Sequence, residues 1–102
     1  MTLRITRAVE TCSWPSQWDA WTTDGQYLYL RYRQGIGSVT PYPTPDWEAW
    51  DPTVQPIIEW DDETGEGSID LPDFLALSGI TLGRPGWTTR ALNLLRRVIR
   101  SW

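Results

Sequence analysis

The sequence contains no histidine and no lysine; all nine of its basic residues are arginine. Without histidine the usual general base is missing, and so are Ser-His and Cys-His nucleophile pairs and most zinc sites. Without lysine there is neither a Schiff-base nucleophile nor a phosphate-binding P-loop. A single cysteine, Cys12, excludes an internal disulfide. With no imidazole to hold it as thiolate, Cys12 reads as a small half-buried side chain rather than a nucleophile. There is no apolar run long enough to cross a bilayer and no signal-peptide pattern, so the expectation is a soluble cytoplasmic protein. No segment is low-complexity, and 102 residues allow one modest core.

What is present is aromatic. Eight tryptophans and four tyrosines crowd the chain, and residues 18–33, WDAWTTDGQYLYLRYR, are its organising stretch. Asp24-Gly25 suits a two-residue hairpin turn, because both central positions need positive φ. That turn predicts Thr23 opposite Gln26, Trp21 opposite Leu28 and Trp18 opposite Arg31. Leu28, Leu30 and Tyr32 then share a core face with Trp21. Tyr27, Tyr29, Arg31 and Arg33 share the other face with Trp18 and Ala20. That second face either takes a further layer, with arginine stems over rings, or is a recognition surface.

Residues 2–10 begin in period-two alternation and predict a strand. Residues 12–17, CSWPSQ, read as a connector, since Pro15 cannot donate to a ladder. Residues 34–38, QGIGS, read as a second turn and 38–42 as a third strand, completing a meander. Five prolines between positions 41 and 56 forbid helix or central strand and predict a stiff surface loop. One helical turn near 46–50, capped by Asp46, would let Trp47 and Trp50 reach the sheet or a partner. Residues 57–60 predict a short strand, 61–67 a turn, 68–71 a returning strand. Residues 72–78 predict a short helix with Asp70 as N-cap, Pro72 in the first turn and Gly79 as the stop.

Charge divides the chain. Residues 46–73 hold ten acids and no base, whereas residues 84–102 hold five arginines and no acid. Thirteen acids and four arginines precede residue 84, a balance of −9 that argues against general nucleic-acid binding by the sheet. After a linker at 82–87, residues 88–102 read as an amphipathic basic helix. Leu92, Leu95, Ile99 and Trp102 form an apolar stripe, and Arg96, Arg97 and Arg100 suit the dipole at its end. The stripe would bury against the domain, a second copy or a partner protein; a membrane surface is possible but not favoured.

Residues 62–74, DETGEGSIDLPDF, resemble an EF-hand calcium loop, with Asp62, Thr64, Glu66, Asp70 and Asp73 at ligand positions and Gly67 at the turn glycine. Thr64 departs from the usual acid or amide, Asp73 is a methylene shorter than the bidentate glutamate, and the incoming segment is too short for the first helix. A strand, turn and capped helix is the competing reading. A carboxylate pair for hydrolysis and an acidic mimic of nucleic acid are further alternatives.

The run CSWPSQWDAWTTDGQYLYLRYRQGIGSV, with the later GSIDLPDFLALSGI, resembles a group of small proteins of actinobacteria and their phages. The resemblance covers about residues 1–82 and implies no activity, catalytic residue or cofactor. By analogy with small phage proteins that disable a host protein, it implies a binding role.

The sequence therefore predicts an α+β fold: a small, mostly antiparallel meander of about five short strands, with a helix near 72–78 and a basic helix near 88–102. Residues 1–82 would be one β-rich domain and 83–102 an extension. The expected function is a non-enzymatic protein-binding module without cofactors, such as a phage-type modulator or inhibitor of a host protein. Its expected contact residues are Arg31, Arg33, Trp47, Trp50, Arg96, Arg97, Ile99, Arg100 and Trp102. The alternative is a ligand-binding domain, for a glycan or for calcium at the acidic loop.

Overall fold

The computed structural model describes residues 3–83. The predicted helix at 88–102, with Arg96, Arg97, Ile99, Arg100 and Trp102, lies outside them. The described residues form a small α+β domain. Its elements are β1 (Arg4–Ser13), β2 (Ser16–Thr22), β3 (Tyr27–Arg33), β4 (Ile36–Pro41), a 3₁₀ turn (Trp47–Ala49), β5 (Ile58–Asp61), α1 (Leu71–Ser78) and β6 (Thr81–Leu82). The six strands make one sheet in the order β5-β4-β3-β2-β1-β6. All neighbours are antiparallel except β6, which runs parallel to β1. The meander is as predicted, with this parallel edge strand added.

Cross-strand rows build the core. Glu10, Trp18, Leu30, Val39 and Ile58 lie side by side across five strands. Ser16, Tyr32, Gly37 and Trp60 form the next row. Helix α1 covers this face with Leu71, Phe74 and Leu75, all buried. The Phe74 ring meets Trp18 and Trp60, each at 5.3 Å between centroids. Trp18 and Phe74 are fully enclosed, so large rings add to the burial supplied by Ile5, Leu28, Leu30, Val39 and Leu71 in so short a chain.

The central hairpin corrects the predicted register. Trp21 lies opposite Tyr27, Ala20 opposite Leu28 and Trp18 opposite Leu30, one residue away from the expected pairing. The loop has three residues rather than two. Gly25 N–H donates to Thr22 C=O (3.0 Å), Gly25 takes φ 89°, and Thr22 N–H then meets Gln26 C=O (2.9 Å). This is the arrangement in which a glycine in the left-handed region closes a three-residue loop. The Thr22 side chain accepts from Gln26 N–H (3.0 Å) and donates to Asp24, fixing the longer loop. A slip of one residue exchanges faces. Trp18 and Ala20 therefore go inside with Leu28 and Leu30, and Trp21 goes outside with Tyr27 and Tyr29.

Three smaller expectations are also corrected. Residues 12–17 are not a connector: β1 continues to Ser13, β2 starts at Ser16, and only Trp14-Pro15, joined by a cis peptide, make the turn. Residues 68–71 do not return as a strand. That stretch is held to the β1–β2 corner instead, through Ser16 N–H to Gly67 C=O (3.2 Å) and Ile69 N–H to Ser16 Oγ (3.0 Å). Asp70 occupies the N-cap position of α1, but its side chain makes no cap hydrogen bond. Gly79 ends the helix at φ 71°, as expected.

Candidate functional site

The outward face of β2 and β3 is a second aromatic cluster. Tyr27 donates to Asp19 Oδ1 (2.5 Å) and Tyr29 to Gln17 Oε1 (2.9 Å). The Arg7 guanidinium lies over the Trp21 ring at 4.6 Å. The proline-rich loop folds Trp50 onto this face, 4.9 Å from Tyr29 and stacked flat on Tyr42 at 4.1 Å. Asp46 caps the 3₁₀ turn by accepting from Glu48 N–H (3.1 Å), and Trp50 Nε1–H donates to Thr44 C=O (2.7 Å). Burial raises the pKa of Tyr29, and raises that of Tyr27 with help from the Asp19 hydrogen bond. Trp50 thus sits within the domain's own packing, whereas Trp47, three residues earlier, is 71 % exposed.

This layer stops short of the end of β3 where Arg31 and Arg33 lie. Residues two apart on a strand share a face, so their Cα atoms stand roughly 7 Å apart. Among the described residues neither guanidinium makes a hydrogen bond or ion pair, and Arg31 Nε is buried without a partner. The other two arginines are engaged, Arg4 on Gly83 C=O (3.3 Å) and Arg7 on Trp21. Arg31 and Arg33 line a groove of about 260 Å³ with Gln34, Ile36, Ser38 and Glu59.

Arg33 and Gln34 also form one wall of a larger cleft of about 670 Å³, completed by Trp14, Pro15, Gly65 and Gly67. Three loops build it. The tight turn at Trp14-Pro15 brings the indole over Gly67, where any Cβ would collide with the ring. The β3–β4 turn takes Gln34 to φ 53° and Gly35 to φ 77°. Gly35 N–H then donates to Glu66 C=O (2.8 Å), and Asp62 N–H donates to Gly35 C=O (2.9 Å). A side chain on Gly35 would strike Asp62 and the Gly65 backbone, so the acidic loop and the β3–β4 turn are closely fitted. Trp14 nevertheless stays 74 % exposed. Such a ring costs little order to use in binding, and it stands beside an unpaired guanidinium.

The acidic stretch 62–73 runs from a strand through a turn into a helix. Asp62 is occupied by its neighbours, accepting from Tyr32 Oη (2.6 Å), Thr64 N–H (3.0 Å) and Thr64 Oγ1 (2.7 Å). These bonds, Tyr32 first, hold the Asp62 carboxyl below its ordinary range, while burial chiefly raises Tyr32. Asp70 lies instead with Glu10, Ser13, Ser16, Ser68 and Ile69 around a hollow of about 240 Å³. Burial, then the charge of Asp70, raises Glu10. Among the described residues no three cysteines or carboxylates converge to hold a metal ion, and no helix is long and apolar enough to cross a membrane.

Of the residues singled out in the sequence, the structure brings Arg31 and Arg33 together and leaves Trp47 alone on its loop. Sequence reasoning missed Trp14, Pro15 and Gln34 as parts of a site. The available signal was the Trp-Pro pair between two period-two runs, which marks a tight corner that projects its aromatic residue. Comparison of the chain with family models, with curated proteins and with solved structures gives no match.

Proposed function

We propose that this domain is a protein-binding module, of the kind with which a small phage protein modulates a host protein, and that it binds through the corner formed by Trp14, Pro15, Arg33 and Gln34. The observation that carries the reading is the exposed Trp14 indole wedged over Gly67 beside the unpaired Arg33, at the mouth of the 670 Å³ cleft. Tryptophan and arginine dominate binding hot spots, because each supplies a large contact area or a directional charge at small ordering cost. The groove holding Arg31 is continuous with that corner through Arg33 and Gln34, which line both. The absence of histidine and lysine from the chain removes the commonest catalytic bases and favours binding over catalysis.

The test is retention of proteins from actinobacterial lysate on the wild type and on a Trp14→Ala, Arg33→Ala variant. One stoichiometric partner held by the first and lost by the folded second is the expected result. A partner held equally by both would remove the corner from the interface. No retained protein at all would count against a protein-binding role.

A further inference from the structure

The chemistry of the groove specifies what such a partner presents. Of the four arginines among the described residues, the two with neither a hydrogen bond, an ion pair nor a ring contact are the two placed two residues apart on one face of β3. Like charges at that spacing repel one another, and an anion placed between them relieves the repulsion. Gln34 and Ser38 add neutral donors beside the guanidiniums, and Ile36 supplies an apolar wall that is 42 % exposed. The Trp14 ring and Pro15 continue the apolar wall on the far side of Arg33. Two acids approach the groove. Glu59 stands two strands from Arg31, separated by Ser38, and Asp61 lies beyond Ile36, with its carboxylate accepting from Glu63 N–H (2.7 Å). Among the residues that line the groove two arginines face one acid, Glu59, on a domain whose sequence balance is −9 before residue 84, and Asp61 stands just outside the lining.

We infer that this groove and cleft together take an extended acidic peptide segment. A carboxylate is held by Arg31 and Arg33, and a neighbouring apolar side chain lies on Trp14 and Pro15. Paired guanidiniums bind a carboxylate through parallel N–H bonds. A polyanion such as nucleic acid would meet the long-range repulsion of the acidic body with every phosphate, whereas a single carboxylate among apolar residues meets only a small, screened part of it. The inference rests on the binding role proposed above and names the chemical class of its partner.

The experiment is an NMR titration of the full chain with the blocked peptide acetyl-Pro-Leu-Glu-Leu-amide, following the arginine Nε–H and tryptophan indole N–H signals. The expected result is saturable movement of the Arg31, Arg33 and Trp14 signals. Replacing the peptide glutamate by glutamine should weaken binding at least tenfold. Arg33→Gln should weaken it similarly, and Glu59→Gln, which removes the opposing charge, should strengthen it several-fold. Arg33 and Glu59 both lie at the surface, so both variants are expected to keep the wild-type spectrum elsewhere. The inference is overturned by no saturable shift, or by equal binding of the glutamine peptide. Tighter binding of a phosphoserine peptide or of oligo-dT would also overturn it. A lysate partner lost with Trp14→Ala while the acidic peptide fails would overturn this inference alone; an acidic peptide that binds while no partner is retained would count against the binding role alone.

Discussion

Trp60 lies flat over Gly37, its partner on the adjacent strand, and fills the place a side chain there would occupy. From that position the indole reaches Tyr32 at 5.7 Å and Phe74 at 5.3 Å, and its Nε1–H donates to Ser78 Oγ at 2.9 Å. The glycine is what allows a ring from the short edge strand β5 to reach both the sheet and α1. Gly37→Ala is expected to push the indole off the sheet, costing about 1–3 kcal/mol through overpacking. Urea unfolding followed by tryptophan fluorescence checks this, and an unchanged midpoint would refute it.

The contact between Tyr32 and Asp62 predicts a stability curve that falls at both extremes of pH. Tyr32 is raised in the folded state, mainly by burial and then by the Asp62 bond. Its contribution is complete below its ordinary value of 10.0 and is lost as pH climbs above it. Asp62 is lowered, so its contribution is present above 3.8 and lost as pH falls below it. Tyr32→Phe should flatten the alkaline limb. Asp62→Asn should flatten the acid limb. Thermal unfolding measured from pH 2 to 11 distinguishes the two.

Trp47 and Trp50 stand three residues apart and should behave oppositely. Trp50→Ala uncovers Tyr29 and Tyr42, and losing a stacked and a tilted aromatic contact is expected to cost about 2 kcal/mol. Trp47→Ala removes an exposed ring and should change stability by less than about 0.5 kcal/mol. Paired denaturant titrations of the two variants provide the check.

Glu10 faces the core row beside Trp18, with Oε2 buried and unpartnered. Its raised pKa means that ionisation opposes folding, so this residue weakens the domain progressively as pH rises through and above its ordinary value of 4.5. Glu10→Gln is therefore expected to raise the melting temperature at pH 7 and to narrow its gap from the wild type at pH 4. A gap that stays constant across that range would remove the charge from the explanation.

Much of this architecture was legible in the residues. Alternating Tyr and Leu in 27–33 implied a half-buried strand, the prolines of 41–56 implied a loop, and Gly79 implied the helix stop. The hairpin register was not legible, because Asp24-Gly25 fits a two-residue loop as well as a three-residue loop with glycine last. The choice fell to Thr22, whose hydroxyl bonds both Asp24 and Gln26, and to the core, where the large Trp18 is enclosed against Phe74. Strand β6 was hidden for a different reason. Two residues carry no periodicity, and only the tertiary position of β1 makes Thr81–Leu82 a strand. The cleft was legible only in part. Arg31 and Arg33 announced themselves on one strand, but the approach of Trp14 to Gly67 joins positions 53 residues apart and follows from the packing of two loops.

The parallel pairing of β6 with β1 has a topological consequence. Leu3 C=O accepts from Thr81 N–H at 3.0 Å and Ile5 C=O from Gly83 N–H at 2.6 Å, so the chain enters and leaves the sheet at neighbouring points on one edge. A polypeptide that contains this domain can therefore carry it as an excursion from a single position in its path. Spliced into a surface loop of an unrelated host, residues 3–83 would ask that loop to open by only about 11 Å, one strand spacing across and three residues along the parallel pair.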